Sequence, residues 1–161
     1  RNMTDRRPPL ADFAAAVDLL SCNRREWEAL ADRDRQEVAR RIRVLAVTDG
    51  PRGSLVRFRR PDGVATEVRV AALPRSAPPR DTNRAGEAYA ATLVTTLLDA
   101  GWVPGPLDRD LARFAAERAA AAAALELDLA DFGFPGAAAV DAALRAGEVP
   151  GDPGGPAADA R

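Results

Sequence analysis

The segment Asp81–Glu87 (DTNRAGE) combines acidic side chains, an arginine and a glycine directly before the strongly apolar stretch 88–100. That stretch predicts a buried helix, so Ala85, Gly86 and Glu87 would present free backbone N–H groups at its N-terminus. Such groups, together with the helix dipole, favour an anion. A carboxylate in the same turn can take a proton from a substrate hydroxyl. A simply capped helix is the competing interpretation of the same residues.

Two further polar segments come directly after predicted strands. Asn23–Glu26 follows the short apolar run 17–22, and Thr48–Gly53 follows the β-branched run 42–48. Each also has an ordinary interpretation, the first as a helix cap with an acidic first turn and the second as a strand-ending turn. Ligands bind at the carboxyl ends of strands in open α/β sheets, so the three segments together predict one site at one sheet edge.

The composition excludes several kinds of catalytic site. The chain has no histidine, and all 23 of its basic residues are arginine. These absences exclude a histidine base, a Ser-His-Asp triad, a Schiff-base lysine and the lysine-containing phosphate-binding loop. A metal site built on His and Cys is excluded as well. Any catalysis must use carboxylates, hydroxyls, backbone amides, arginine or a hard cation held by oxygen.

Charge and hydropathy indicate which partners to expect. The formal net charge is -1, which gives no overall basic character for nucleic-acid binding. The arginine clusters at 40–43 and 57–60 are interpreted as a solvated helix end and a polar hairpin. No apolar run approaches the ~20 residues of a membrane span, and the single Cys22 suits a reducing compartment. We therefore expect a cytoplasmic protein that binds neither nucleic acid nor membrane.

The apolar pattern predicts one domain of the α/β class, with helices packed on a sheet. Strands are expected at 17–22, 42–48, 54–59 and 64–70, the last two forming a hairpin around the turn 60–63. Helices are expected at 24–31, 32–41, 88–100, 108–127 and 137–146. Residues 1–15 are interpreted as a lead-in segment, and residues 147–161, rich in Gly, Pro and Ala, as a disordered tail.

The long helix at 108–127 is expected to bury one stripe of mostly larger apolar side chains. They recur at helical spacing and are Leu107, Leu111, Phe114, Ala122, Leu125 and Leu129. The alanine tract 119–124 favours close packing of this helix on the sheet.

The order and separation of the three polar segments resemble the ribokinase-like (PfkB) family of carbohydrate kinases. Members carry N-x-x-E after a strand, T-x-G-x-x-G after the next strand, and D-T-x-G-A-G-D-x-F entering a helix. The corresponding residues here are NRRE at 23–26, TDGPRG at 48–53 and DTNRAGEAY at 81–89. The resemblance covers roughly 16–145 and implies the C-terminal part of a three-layer α/β/α (Rossmann-like) sheet fold, with 16–146 as its nucleotide-binding part.

The resemblance also implies an activity and its cofactors. Family members transfer phosphate from ATP to a hydroxyl of a sugar or nucleoside, so ATP and Mg²⁺ are the expected cofactors, with K⁺ as a further cation. Asn23 and Glu26 match positions that organise Mg²⁺ and its waters near the nucleotide phosphates. Asp81 and Asn83 match positions that help to hold a monovalent cation.

The second segment matches the family's nucleotide-binding turn. By resemblance, Thr48, Gly50 and Gly53 would line the nucleotide site, largely through their backbone. Asp49 lies within the same turn and places a negative charge beside the expected phosphate site, which is mildly unfavourable.

The third segment matches the family's phosphate-transfer loop. Arg84, Ala85 and Gly86 occupy the anion-hole positions, whose N–H groups face the transferring phosphoryl group, and Glu87 occupies the position of the catalytic base. Glu87 replaces the usual Asp and places its carboxylate one methylene further out. Arg84 replaces the usual Gly, which loses freedom at positive φ but adds a planar cation suited to phosphate. Both a divergent active subgroup and an inactive enzyme are compatible with these differences.

Family members are about twice this length, and their N-terminal half supplies most of the sugar pocket. The resemblance therefore implies the C-terminal half of a kinase, whose open sheet edge invites a missing N-terminal half or self-association. Three functions stay open: a sugar or nucleoside kinase, a non-catalytic nucleotide-binding or interaction module derived from such a kinase, and an α/β scaffold without a ligand.

Overall fold

The computed structural model describes residues 16–75, 78–79, 84–129 and 133–147. Within these ranges the strands are β1 (Leu19–Asn23), β2 (Val44–Thr48), β3 (Ser54–Arg59) and β4 (Ala65–Val70). The helices are α1 (Arg24–Ala29), α2 (Asp32–Arg41), α3 (Ala85–Asp99), α4 (Arg109–Glu126) and α5 (Ala137–Ala146). The predicted order of elements is confirmed. The predicted lead-in segment and residues 148–161 of the predicted tail lie outside the described residues.

The strands form one sheet in the order β1–β2–β3–β4. β1 and β2 run parallel, because α1 and α2 carry the chain back between them, and their last residues, Asn23 and Thr48, lie opposite each other. The pairs β2–β3 and β3–β4 are antiparallel. Parallel pairing therefore brings the first two polar segments side by side at one sheet edge. Within the described ranges, β1 has a neighbouring strand on one side only.

Helices cover both faces of the sheet at β2. On one face, side chains that alternate along β2, β3 and β4 are buried beneath α3 and α4. On the other face, Val38 of α2 packs against Leu45 and Val47. Because β2 points apolar side chains to both faces, its residues from Val44 to Val47 are all buried. The α/β/α layering predicted from the sequence is present here.

α4 packs on the sheet and on α3 through alanine rather than through larger side chains. Ala115, Ala116 and Ala119 are completely buried, whereas Phe114 is 49% exposed and Leu129 36% exposed. The predicted stripe is therefore wrong at these last two positions, while the close packing predicted for the alanine tract is confirmed. Although several helices are rich in apolar residues, none in the described ranges is both long and apolar enough to span a membrane.

The predicted element boundaries differ from the observed ones by up to three residues. α3 begins at Ala85, so residues 85–87, assigned from the sequence to a loop, form its first turn. Ile42, predicted to open β2, instead ends α2, because its N–H donates to the Val38 carbonyl at 2.9 Å. In both cases backbone hydrogen bonds, rather than side-chain character, decide where the element begins.

Candidate functional site

The three polar segments line one cleft at the carboxyl ends of β1 and β2. The cleft has a volume of about 990 Å³. Each predicted site residue in the described ranges contributes to its lining: Asn23, Glu26, Thr48, Gly50, Gly53, Arg84, Ala85, Gly86 and Glu87. Asp81 and Asn83, the predicted cation ligands, lie outside the described residues.

Asn23 and Glu26 form a capping box at the start of α1. The Asn23 Oδ1 atom accepts a hydrogen bond from the Glu26 amide, and Glu26 Oε2 accepts one from the Asn23 amide, each at 2.9 Å. The ordinary interpretation of this segment as a helix cap is therefore confirmed. Both residues are also exposed and line the cleft. Glu26 Oε1 takes no part in the box, so this carboxylate keeps an oxygen for other partners.

The turn after β2 depends on two glycines in different ways. Gly53 has a φ of 90°, and a Cβ atom there would lie 2.0 Å from the Val70 carbonyl oxygen. Gly53 is therefore required by the close approach of the end of β4. Gly50 also has a positive φ, 53°, but a Cβ there would meet no atom within 4 Å. Only the backbone conformation therefore favours glycine at position 50. The missing side chain leaves open space in the cleft beside it.

The negative charge of Asp49 is compensated within the same turn. Arg52 donates to both carboxylate oxygens, at 2.8 and 2.7 Å, and Arg24 Nε donates to Oδ2 at 2.7 Å. The hydrogen bonds from Arg52 are the main cause that holds the pKa of Asp49 below its usual value, and the charge of Arg24 acts in the same direction. The unfavourable charge expected beside a phosphate is therefore largely neutralised.

The N-terminus of α3 presents free donors to the cleft. The first hydrogen bond of the helix runs from the Ala88 amide to the Arg84 carbonyl at 2.9 Å. The amides of Ala85, Gly86 and Glu87 precede it, and no described residue accepts a hydrogen bond from them. Three free amides at the positive end of a helix dipole form an arrangement that favours an anion.

Arg84 opens α3 in a left-handed conformation, with φ 65° and ψ -8°. Among the described residues it is the only non-glycine with a positive φ. The family motif has glycine at this position. Arg84 therefore keeps a backbone conformation typical of glycine although it carries a side chain. Arg84 Nη2 lies 3.1 Å from Oε1 of Glu126, whose side chain is 0% exposed.

Glu26 and Glu87 are the carboxylates that line the cleft in the described ranges. Glu26 is held in the capping box, whereas the exposed Glu87 makes no hydrogen bond or ion pair with described residues. Burial, and secondarily the charge of Glu26, raises the pKa of Cys22 to about 11, so this cleft thiol is neutral at pH 7. Glu87 is therefore the best placed group to accept a proton.

Sequence reasoning missed one wall of the cleft. That wall is mainly apolar and comes from α4 and from the connector after β4, including Leu73, Pro74, Ala123 and Leu127. Apolar residues in a connector carry no periodic signal, and alanines on a helix are equally typical of a core. Glu126, which lies beside Arg84, was missed too, although an acidic residue in the last turn of an alanine-rich helix is a signal that could have identified it.

Comparisons with known proteins identify relatives of this arrangement. Residues 1–128 match the family described as pfkB family carbohydrate kinase. No curated protein matches the chain significantly.

Three solved structures illustrate the likeness of the fold. Fructokinase from Vibrio cholerae O395, in fructose-, ADP- and calcium-bound form, is 22% identical with a TM-score of 0.65, over 83% of this chain and 42% of that one. Ribokinase from Arabidopsis thaliana, complexed with ribose and ATP, is 20% identical with a TM-score of 0.62, over 84% and 43%. Ligand-free nucleoside kinase from Burkholderia thailandensis is 22% identical with a TM-score of 0.61, over 83% and 41%. The chain thus spans about two fifths of the length of these proteins.

Proposed function

Because the chain belongs to the pfkB family of carbohydrate kinases, we propose that its cleft binds ATP and supports phosphoryl transfer to a hydroxyl of a sugar or nucleoside. The observation that carries this proposal is the convergence of three separate family segments on one cleft. The chain spans about 42% of the fructokinase that it resembles. We therefore assign the nucleotide and phosphate side of the site to this chain, and completion of the acceptor pocket to an N-terminal half or a partner chain.

Two parts of the cleft lining suit two parts of a nucleotide. Gly50, in the turn after β2, offers backbone without a side chain and has open space beside it, which lets a ligand approach closely. Leu73, Pro74 and Leu127 offer an apolar surface, which suits the flat face of a base. We propose that the base lies on this apolar surface and that the phosphates lie at the free amides of α3.

The residues present fit Mg²⁺ that is held through phosphates and water. Within the described ranges, no group of three or more Asp, Glu, Cys or His side chains could hold a metal ion. Mg²⁺ in nucleotide sites usually keeps several waters and uses only one or two carboxylates. Asn23 and Glu26 are the proposed contacts to the hydrated ion. Asp81 and Asn83 remain the proposed ligands of K⁺.

ATP, when bound, supplies the phosphoryl group, and the first turn of α3 supplies the charge stabilisation. The free amides of Ala85, Gly86 and Glu87 would donate to the oxygens on which negative charge accumulates. Preorganised donors of this kind are usually the largest single contribution to catalysis of group transfer. They need no reorganisation, because the helix already holds them in place.

Glu87 is proposed as the general base. Its exposed side chain has no partner among the described residues, so the carboxylate can accept the proton of an acceptor hydroxyl as that oxygen attacks phosphorus. The extra methylene relative to Asp moves the carboxylate outward from the helix. The acceptor hydroxyl is therefore expected to bind slightly further from α3 than it would beside an Asp.

Nucleotide binding can be tested on this chain by thermal unfolding with MgATP, adenosine or neither, in potassium and in sodium buffer. MgATP at 100 times its Kd is expected to add ~2.7 kcal/mol to the stability. A larger effect in potassium than in sodium would support the cation site at Asp81 and Asn83. A cooperative transition that MgATP leaves unchanged would contradict the nucleotide site.

The catalytic role can be tested with Glu87→Gln in an enzyme whose acceptor pocket is complete. We expect kcat to fall ~10²–10⁴-fold, the usual contribution of a general base, with ATP affinity nearly unchanged. Glu117→Gln is the matched control, because Glu117 is a half-buried α4 residue outside the cleft lining. Equal turnover in wild type and Glu87→Gln would exclude Glu87 as the base.

A nucleotide-binding module without phosphoryl transfer is the second candidate. The altered phosphate-transfer loop favours it, because Arg84 and Glu87 stand where the resembling motif has Gly and Asp. It predicts ATP binding with no sugar phosphate formed, even when an N-terminal partner is supplied. Formation of any sugar phosphate would exclude this candidate.

A further inference from the structure

We infer that Glu126 is a positioning residue, which acts through Arg84 to hold the left-handed turn that opens α3 and so orients the three free amides facing the cleft. The geometry of the turn stands independently of any ligand, and only its consequence for ATP rests on the proposed function. Glu126 lies at the end of α4, outside all three segments that the sequence identified as chemically interesting.

Arg84 needs a stabilising contact. A left-handed conformation is unfavourable for a non-glycine residue, and Arg84 adopts one at φ 65°. Its carbonyl accepts the first hydrogen bond of α3, from Ala88. The peptide groups on either side of Arg84 therefore set the direction in which the first turn of α3 begins.

Glu126 needs a compensating charge. Its side chain is fully buried, and neither carboxylate oxygen has a hydrogen-bond partner in the described structure. A buried carboxylate without hydrogen bonds is strongly unfavourable unless a cation lies nearby. Arg84 Nη2, 3.1 Å from Glu126 Oε1, is that cation.

Neither charge is explained by its own helix. Glu126 is the last residue of α4, where the negative end of the helix dipole disfavours an acidic side chain. Arg84 precedes the first residue of α3, where the positive end disfavours a basic one. Each charge is unfavourable to its own helix and favourable to the other residue, so the pair connects the end of α4 to the beginning of α3.

A purely structural ion pair and a positioning pair make different predictions. A structural pair affects only the stability of the whole fold. A positioning pair also affects the stability of the first turn of α3. Because the amides of that turn face the cleft, such a pair affects the affinity for ATP relative to adenosine as well. Replacing both residues should restore the turn, because glycine adopts the left-handed conformation without cost and glutamine leaves no buried charge.

The experiment compares wild type, Glu126→Gln and Arg84→Gly/Glu126→Gln in the full chain. Asp141→Asn is the control, because it breaks the Arg118–Asp141 ion pair between α4 and α5 instead. Hydrogen exchange of the Ala88 amide reports the first turn directly, and the ratio of ATP to adenosine affinity reports its amides. We expect Glu126→Gln to lower both the protection of the Ala88 amide against exchange and the ATP-to-adenosine affinity ratio about tenfold. The double variant should restore both quantities, and the control should change neither.

The outcomes separate the two proposals. Unchanged Ala88 exchange in Glu126→Gln would overturn the positioning role, whatever happens to ATP binding. Faster exchange with an unchanged ATP-to-adenosine ratio would reduce Glu126 to a structural residue and would also overturn it. Wild-type protein that binds no ATP would contradict the proposed function, while the Ala88 exchange rates would still decide whether Glu126 holds the turn. If Glu126→Gln does not fold, the double variant supplies the comparison, because failure of that variant to restore the turn contradicts the inference.

Discussion

The Tyr89 hydroxyl donates a buried hydrogen bond to Ser54 Oγ over 2.9 Å. Tyr89 lies on α3 beside the proposed phosphate site, and Ser54 is the first residue of β3, directly after the proposed nucleotide turn. Burial raises the pKa of Tyr89 to about 12, although the bond to Ser54 acts in the opposite direction. The hydroxyl therefore stays protonated near neutral pH, and the bond connects α3 to the start of β3 within the cleft lining.

Tyr89→Phe is expected to lower the free energy of unfolding by about 1–2 kcal/mol, because it leaves the buried Ser54 hydroxyl without a partner. Ser54→Ala should cost a similar amount for the reciprocal reason. The double variant should cost less than the sum, since it removes both polar groups. Urea unfolding of the four proteins measures this coupling, and strictly additive losses would show that the bond contributes little.

Gly53→Ala and Gly50→Ala form a matched pair within one turn. Both change a glycine with a positive φ, but only at Gly53 would the added Cβ overlap the Val70 carbonyl, at 2.0 Å. We expect Gly50→Ala to cost about 1 kcal/mol from conformation alone, and Gly53→Ala to cost more than about 3 kcal/mol or to prevent folding. Thermal unfolding distinguishes them, and equal losses would show that the end of β4 can move away.

Cys22 provides a chemical probe of the cleft. Its pKa is raised from 9.0 to about 11 by burial and by Glu26, so at pH 8.5 its thiolate fraction should be about 100-fold lower than in the unfolded chain. We expect a thiol reagent to react correspondingly slowly with native protein, and MgATP to slow it further. Absorbance assays measure both rates, with Cys22→Ser as the blank.

The same shift has a consequence for stability. Because the raised pKa favours the protonated thiol in the folded state, this contribution is complete below pH 9 and is lost as the pH rises toward about 11. Cys22→Ser should lack this component of the alkaline pH dependence. Native protein that reacts as fast as unfolded protein at pH 8.5 would contradict the burial of the thiol.

Asp49→Asn is expected to destabilise the protein at pH 7 and to do so less in acid. The pKa of Asp49 lies below its usual 3.8, mainly because Arg52 donates to its carboxylate. A lowered folded-state pKa stabilises the protein above pH 3.8, and this contribution is lost as the pH falls through the folded-state value. The difference in urea midpoint between the two proteins should therefore shrink in acid. A constant difference would mean that the effect of the substitution is steric.

Local interactions made part of the site predictable. Asn23 and Glu26 are three residues apart, and this spacing of these residue types predicts the capping box that the structure contains. The hairpin between β3 and β4 follows in the same way from alternating strands around a glycine turn. The resemblance of the motifs to the carbohydrate kinases, confirmed over residues 1–128, likewise depends only on the order and spacing of residues along the chain.

The buried face of α4 could not be predicted in the same way. An alanine-rich helix has several faces of similar hydrophobicity, and the partner that packs closest decides which one is buried. Here α3 and the sheet lie against Ala115 and Ala119 and leave Phe114 half exposed. Hydrophobicity favoured the larger side chain, but small side chains allow closer backbone contact over the whole length of the helix.

The sequence by itself determined the order of elements, the family and the three polar segments that line the cleft, because each depends on short-range patterns. Only the tertiary structure decided how those residues are held. It placed Glu126 against Arg84, Tyr89 against Ser54, and the end of β4 against Gly53. Each contact joins residues far apart in the chain, and its energy comes from burial and close approach, which exist only once the layers have packed.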